Sequence, residues 1–335
     1  MSFRTRLSLD DVRELSMNAL ITNGADQENA EAVTHFIWSA ERDSCHSHGL
    51  FRLPGYIASL RSGKVNGRSR PTVEELAPAA IRVNGDNGYA PMALKVGRDP
   101  LAQRARETGI AALAITRTFH FSALWVETAT LAELGLVAIA MTSAQPMVAP
   151  AGGTKALFGT NPLSFAWPRA GKPPVVFDMA TAAMARGEIQ VAAREGHQVH
   201  DGAGIDADGK PTNDPNKILE GAQLAFGGTK GALLALMVEL MAGPMVGELF
   251  SVEQKEGDNG DGGPAVGGEF MLAIDPVRLS GNAKVLDHGE KLFSAVLEQE
   301  GTRLPAERRY RVRPVNEANG IEIPTALYET IKELS

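Results

Sequence analysis

Between Asp43 and Tyr56 the chain reads D-S-C-H-S-H-G-L-F-R-L-P-G-Y, its densest concentration of groups able to do chemistry. Histidine is scarce, 7 in 335 residues, yet His46 and His48 flank Ser47 and stand close to Arg52. An imidazole titrates near neutrality, so His48 can act as general acid while the Ser47 hydroxyl orients its ring. The planar guanidinium of Arg52 suits bidentate capture of a carboxylate better than lysine would. A solvated turn between helices would carry the same residue types. Cys45, His46 and His48 also offer zinc donors, but C-H-x-H crowds them and no matching pair follows downstream, so no metal is expected.

Two further segments could meet an anion. Thr118 to Leu124, T-F-H-F-S-A-L, lies where an apolar strand ends and a helix opens, and free backbone N–H groups there would favour a pyrophosphate. A structural histidine capping a turn fits the same residues. F-G-G-T-K-G at 226–231 adds glycines, a lysine and a following helix. The chain has neither a Walker A motif nor G-x-G-x-x-G between strand and helix, so a standard Rossmann site is absent. F-G-T-N-P at 158–162 is a turn with two polar side chains, and R-L-P-A-E-R-R at 303–309 concentrates Arg303, Arg308 and Arg309. A solvated face would explain those arginines equally well.

The elements that must hold these groups are helical at the ends and mixed in the middle. Ser8 caps a helix running to about Ile21, a second runs from Asp26 through Ala40, and a third from Leu53 to Leu60. After Pro71 strand patterns appear at 80–83, 110–116, 136–141, 175–177 and 270–274, with helices at 92–108 and about 123–134. The apolar run 232–244 reads as a buried helix, 256–268 as a mobile acidic, glycine-rich loop, and 324–334 as a closing helix packed on the N-terminal ones.

At 44% hydrophobic and 22% charged, the composition is that of a globular protein with a sizeable core. A net charge of −7 with no basic stripe argues against nucleic-acid or anionic-membrane binding. The single cysteine and the lack of an apolar leader predict a cytoplasmic protein.

Six segments in consistent order resemble the malate/L-lactate dehydrogenase-like oxidoreductases, a non-Rossmann family: S-H-G-x-x-R at 47–52, H-F-S-A-L-W at 120–125, L-F-G-T-N-P at 157–162, V-F-D-M-A at 176–180, F-G-G-T-K-G at 226–231 and R-L-P-A-E-R-R at 303–309. The 43–56 segment, A-A-R-E-G at 192–196 and R-L-P-A-E-R-R-Y at 303–310 are similar to the branch that reduces the cyclic imines Δ1-piperideine-2-carboxylate and Δ1-pyrroline-2-carboxylate. The resemblance implies an α/β (α+β) fold with a largely antiparallel nicotinamide-binding domain, here 76–289, and a helical domain from 1–75 with 290–335.

It further implies a proton relay of Ser47, His48 and an acid, which falls on Glu188 where the branch has aspartate. Arg52, Thr160 and Arg186 fall at substrate positions. His120, Phe121, Ser122, Ala123, Leu124, Asp178, Met179, Ala180, Thr229, Lys230, Arg303, Arg308 and Arg309 fall at cofactor positions, with NADPH implied, NADH possible, and a homodimer expected. In other branches the histidine matching His120 is itself the acid/base, so both histidines stand as candidates. The implied reaction is reduction of a small 2-imino carboxylate to L-proline or L-pipecolate. An NAD-dependent 2-hydroxyacid dehydrogenase (malate, lactate or ureidoglycolate type), a metal-dependent hydrolase and a non-catalytic binding protein are the alternatives.

Overall fold

The structure, a computed structural model, describes residues 3–335. Its centre is a seven-stranded sheet in the order Thr72–Ala77, Ala80–Tyr89, Ile110–Phe119, Val266–Ile274, Val137–Thr142, Leu163–Arg169 and Lys172–Met179. Only Ala80–Tyr89 and Ile110–Phe119 run parallel; every other neighbouring pair is antiparallel. The implied α/β fold with a largely antiparallel sheet is therefore the one observed. Val266–Ile274 returns from far downstream to lie between two earlier strands, which brings Glu269 beside segments far away in sequence.

Helices Ala90–Thr108 and Leu124–Glu133 cover sheet strands with Leu101, Leu124, Trp125 and Leu131, which join Val83, Leu113 and Ile115 in one core. The 19-residue helix stops where Gly109 takes φ +87°, a conformation that costs glycine little. The two chain ends form a second core. Strand Arg4–Leu7 pairs with Ile321–Pro324, and helix Thr325–Leu334 packs against Leu9–Thr22 and Leu53–Arg61. Ser8 starts its helix with a reciprocal cap: its Oγ accepts from Asp11 N–H at 3.0 Å and its N–H donates to Asp11 Oδ2 at 2.7 Å.

Three expectations change. The 256–268 loop is tied down: Asp261 accepts from Lys64 Nζ at 2.5 Å and Ser62 Oγ at 2.9 Å, and from 266 onward the chain is strand. The 232–244 run does form a helix, Thr229–Ala242, but only one side is buried; Leu233, Leu236 and Leu240 are exposed. Edge strand Thr72–Ala77 has no buried position, so it carries no alternation that could reveal it.

Helix Glu307–Asn319 is fixed to the end of helix Gln27–Arg42 by charge. Fully buried Asp43 accepts from Arg313 Nε and Nη2, each at 2.7 Å, and from Arg42 Nε at 2.9 Å. Arg313→Ala leaves Asp43 underpaired and should cost about 3 kcal/mol, the lower end for breaking a buried pair, because Arg42 remains. Urea unfolding that shifts by under about 0.5 kcal/mol would make this clamp energetically idle.

Candidate active site

Helix Gln27–Arg42 ends at Asp43, and the chain then makes two 3-10 turns, His46–His48 and Leu50–Arg52, before helix Leu53–Arg61 opens with Pro54 in its first turn. Glu41, buried on the preceding helix, organises both turns. Its Oε1 accepts the buried Leu50 N–H at 2.8 Å and its Oε2 pairs with His46 Nδ1 at 2.6 Å. That pairing raises the His46 pKa above the ordinary histidine value. A Cβ on Gly49 would lie 2.1 Å from Glu41 Oε1, so glycine alone lets the carboxylate reach in.

The turn presents Ser47, His48 and Arg52 together. Ser47 Oγ meets His48 Nδ1 at 3.0 Å, and among the described residues Nε2 has no partner. Arg52 Nε donates to the Ser47 carbonyl at 2.8 Å, and its guanidinium lies 4.9 Å from the Phe121 ring centroid. Among the described residues its two terminal nitrogens have no hydrogen-bond partner, leaving them available to a carboxylate. His48 keeps some solvent access but is walled by protein. Burial, reinforced by the charges of Arg52 and His120, holds its pKa down to about 3, so the imidazole is neutral at physiological pH.

Phe121 and His120 thus stand against the 47–52 turn. Behind them His120 Nε2 lies 3.2 Å from Glu127 Oε1 and 3.5 Å from Glu269 Oε2, all three side chains being buried. Buried Ser122 faces the Tyr56 hydroxyl at 3.4 Å. The expected open helix start at Ala123–Leu124 is instead filled. Asp178 Oδ2 accepts the Trp125 N–H at 3.0 Å and the carboxylate also bonds Leu124 N–H, so an anion is already supplied from within the chain. Burial raises the Asp178 pKa to about 6 against those bonds and the charges of Arg309 and His120. Arg309 turns inward too, 4.7 Å over the Trp125 ring and bonded to the Val176 carbonyl at 3.0 Å.

The remaining candidates lie further along. Thr160 contributes its carbonyl, which accepts from Thr181 N–H at 2.8 Å and Thr181 Oγ1 at 3.0 Å. Arg186 is half-buried, with Nη2 3.3 Å from the Leu219 carbonyl. Glu188 is exposed in the first turn of helix Arg186–Glu195 and, among the described residues, its side chain bonds to none, His48 included. Met179 is exposed, and Ala180 packs beside Phe158 and Ala225. Thr229 and Lys230 begin the Thr229–Ala242 helix at the rim of a cleft of about 560 Å³, which Thr229 lines with Ala183, Phe226, Gly227 and Gly228. The 47–52 turn does not line that cleft. Arg303 and Arg308 are exposed and without ion-pair partners among the described residues.

The cleft fits the phosphates of a dinucleotide. Gly227 and Gly228 have φ +57° and +63° with open space where a Cβ would stand, and no side chain caps the helix. Among the described residues, Thr229 and Lys230 N–H have no acceptor. Backbone donors of this kind bind anions. The zinc possibility at Cys45, His46 and His48 is not what the turn builds: His46 is committed to Glu41 and His48 to Ser47. Among the described residues, His120, Glu127 and Glu269 are the group whose donor atoms all lie within 4.8 Å of one another.

Residues 7–332 match the malate/L-lactate dehydrogenase family, and the chain belongs to it; this is a family of nicotinamide-dependent oxidoreductases. The chain is 46% identical to a Δ1-pyrroline-2-carboxylate reductase from Ancylobacter novellus, covering 98% of this chain and 97% of that one. It is 45% identical to a Δ1-pyrroline-2-carboxylate/Δ1-piperideine-2-carboxylate reductase from Pseudomonas aeruginosa, covering 98% and 99%. The crystal structure of Δ1-piperideine-2-carboxylate reductase from Pseudomonas syringae pvar. tomato superposes with TM-score 0.94 at 41% identity, covering 99% and 100%.

Sequence reasoning missed Glu41, Asp43, Glu127, Glu239 and Glu269, all buried acids. Glu239 Oε1 accepts from Asn161 Nδ2 at 2.7 Å and so anchors the F-G-T-N-P turn. The missed signal was an acid among apolar neighbours, as in F-I-W-S-A-E-R or G-G-E-F-M-L.

Gly49→Ala drives a methyl into Glu41 and should lower kcat/KM at least tenfold while the chain stays folded; unchanged kinetics would free the turn from this constraint. Because the folded His46 pKa is raised, its pairing stabilises the fold fully below the unfolded value near 6.5 and loses that contribution as pH climbs through the folded value. Histidine NMR titration should find His46 moving above the ordinary value and His48 silent between roughly pH 5 and 8. A His48 midpoint near 6.5 would contradict the neutral assignment.

Proposed function

We propose that this chain is an NADPH-dependent reductase of cyclic 2-imino acids, converting Δ1-pyrroline-2-carboxylate or Δ1-piperideine-2-carboxylate to L-proline or L-pipecolate. The observation that carries the reading is the wall made by Ser47, His48, Arg52 and Phe121, one free arginine fork beside one oriented neutral imidazole. The full-length similarity to reductases of those two imino acids supports the substrate class. A reduced nicotinamide, when bound, supplies a hydride to the substrate C2.

The chain's own residues do the rest. Arg52 grips the carboxylate and fixes C2 and the ring nitrogen against the wall. Burial first and the Arg52 charge second hold His48 neutral; the carboxylate offsets the second, which raises the His48 pKa in the complex and readies it to give a proton to the nitrogen. Ser47 sets the ring, and Thr160 and Arg186 take further substrate contacts. Glu188 enters this relay only as the acid the family resemblance assigns, since in the structure it is exposed and its side chain bonds no described residue. Thr229, Lys230 and the Gly227–Gly228 bend hold the phosphates, with Met179 and Ala180 leading toward them, and unpartnered Arg303 and Arg308 favour the extra phosphate of NADPH. Exposed Leu233, Leu236 and Leu240 on one helix side support a homodimer. Among the described residues no helix is long and apolar enough to cross a membrane. That and the single cysteine support a cytoplasmic setting.

Pyrroline- and piperideine-2-carboxylate, pyruvate and oxaloacetate should each be offered with NADPH and NADH. Fastest turnover is expected with the imino acids and NADPH; preference for a 2-oxo acid would replace this reading with the hydroxyacid dehydrogenase one. His48→Ala should abolish turnover with NADPH binding intact, whereas surviving chemistry would transfer the proton role to His120. Arg52→Ala should raise KM roughly tenfold to 100-fold, in keeping with about 1.5–3 kcal/mol for a charged hydrogen-bonded contact. Unchanged rates in Glu188→Gln would remove that residue from the relay.

A further inference from the structure

Glu127 and Glu269 are two buried carboxylates with no arginine or lysine within ion-pairing distance among the described residues; their one neighbouring base is His120. Apart from one another and the His120 ring, both Glu269 oxygens and Glu127 Oε2 have no hydrogen-bond partner among the described residues. Two ionised carboxylates so placed would be costly by burial and by mutual repulsion. A shared proton removes both penalties. Glu127 also lines a small cavity of about 20 Å³ together with Arg98, Thr130 and the exposed His35. That volume holds about one water, and the orphaned Glu127 Oε2 would be its natural partner.

We propose that Glu127 and Glu269 hold one proton between them behind Nε2 of His120 and are recharged through the water-sized cavity at His35, so that the site is re-protonated from its rear. Neither carboxylate touches substrate; they are positioning residues acting through His120, and only the turnover arm of the test rests on the reductase reading. Each reduction places one hydride on carbon and one proton on nitrogen. The proton given up by His48 is replaced by way of His120, which adjoins Phe121 where that ring lies against Arg52 of the 47–52 turn. The carboxyl pair replaces it on His120, and solvent replaces it on the pair. At every hop one N–H or O–H bond breaks as the next forms, and no further reactant is consumed.

The titratable groups agree. Glu127 faces His120, Glu269 and Asp178, with His35 and Arg98 across the cavity; burial lifts it to about 8, with the Asp178 charge adding to the rise. Glu269 is raised well above the ordinary range, by burial first and by Glu127 second. His120 is lowered by burial against the charges of Glu269 and Asp178. At neutral pH the proton therefore rests on the carboxyl pair and His120 is neutral. As pH rises through the pair's apparent value the store empties, so kcat should fall on the alkaline side.

Infrared difference spectroscopy of the wild-type protein across this range needs no turnover. A protonated-carboxyl band is expected at pH 7, fading near pH 8, absent in Glu127→Gln and Glu269→Gln and retained in Glu269→Asp. The two glutamine variants should lose about tenfold to 100-fold in kcat, with KM and NADPH affinity within twofold and the alkaline limb displaced. Absence of the band at pH 7, or wild-type kcat and pH profile in both folded glutamine variants, would overturn the proposal. So would a stoichiometric divalent cation in the purified protein that Glu269→Gln loses. If no imino or oxo acid is turned over, the reductase reading fails while the band still decides the proton sharing.

Discussion

The wall of Ser47, His48 and Arg52 depends on one carboxylate. Glu41 sits on the last turn of a buried helix and reaches forward to the Leu50 N–H and the His46 ring. Without it a buried backbone donor in the middle of two 3-10 turns would have no acceptor, a loss of about 1–3 kcal/mol concentrated where the chain must be most exact in shape. The other features follow in order. Gly49 is needed to admit the carboxylate, Ser47 and His48 are thereby carried to the outer side, and Arg52 folds back onto the Ser47 carbonyl.

A second constraint is electrostatic and sets the chemistry that this shape can perform. His48, His120 and Arg52 are close enough that ionising one disfavours ionising the next. Burial lowers both imidazoles, and at His48 the Arg52 charge adds to it, so both favour the neutral form. The site therefore waits as a cationic fork beside neutral rings, receptive to an anion and biased to gain a proton only when that anion arrives. A pre-protonated His48 would instead oppose the positive fork and weaken the site's own geometry.

Local elements were legible because local rules made them. Ser8 with Asp11, Asp26 before its helix, and Gly109 after a long one are caps whose physics spans a few residues, and the observed boundaries fall within two or three positions of those expected. Ser47, His48 and Arg52 were legible as chemistry because scarce residue types cluster there. The acids were not. Glu269 reads as one charge in an apolar strand, and nothing local reveals that Val266–Ile274 inserts between two earlier strands and lands it beside His120. The resemblance places Asp178 with residues 120–124 among the cofactor positions. That it caps the helix, occupying the place foreseen for a phosphate, depends on sheet register, which spacing does not encode.

That displacement explains how the molecule divides its labour. With Asp178 filling one helix start, the open donors are those of Thr229 and Lys230, some way along the same connected segment. From Asp178 the chain runs to Thr181, which bonds the Thr160 carbonyl and accepts from Phe226 N–H at 3.0 Å, and to Ala183, whose N–H meets Leu224 at 2.8 Å. One six-residue stretch, 178–183, thus touches the helix beside His120 at one end and the glycine cradle at the other. The side chains whose pKa burial shifts, His48, His120, Glu127, Asp178 and Glu269, are gathered in the buried region beside His120. Backbone groups, whose charge cannot be tuned, are left facing solvent where only a fixed anion is to be held. The stretch between Asp178 and Ala183 ties these two places together through its bonds to Trp125 at one end and Leu224 at the other.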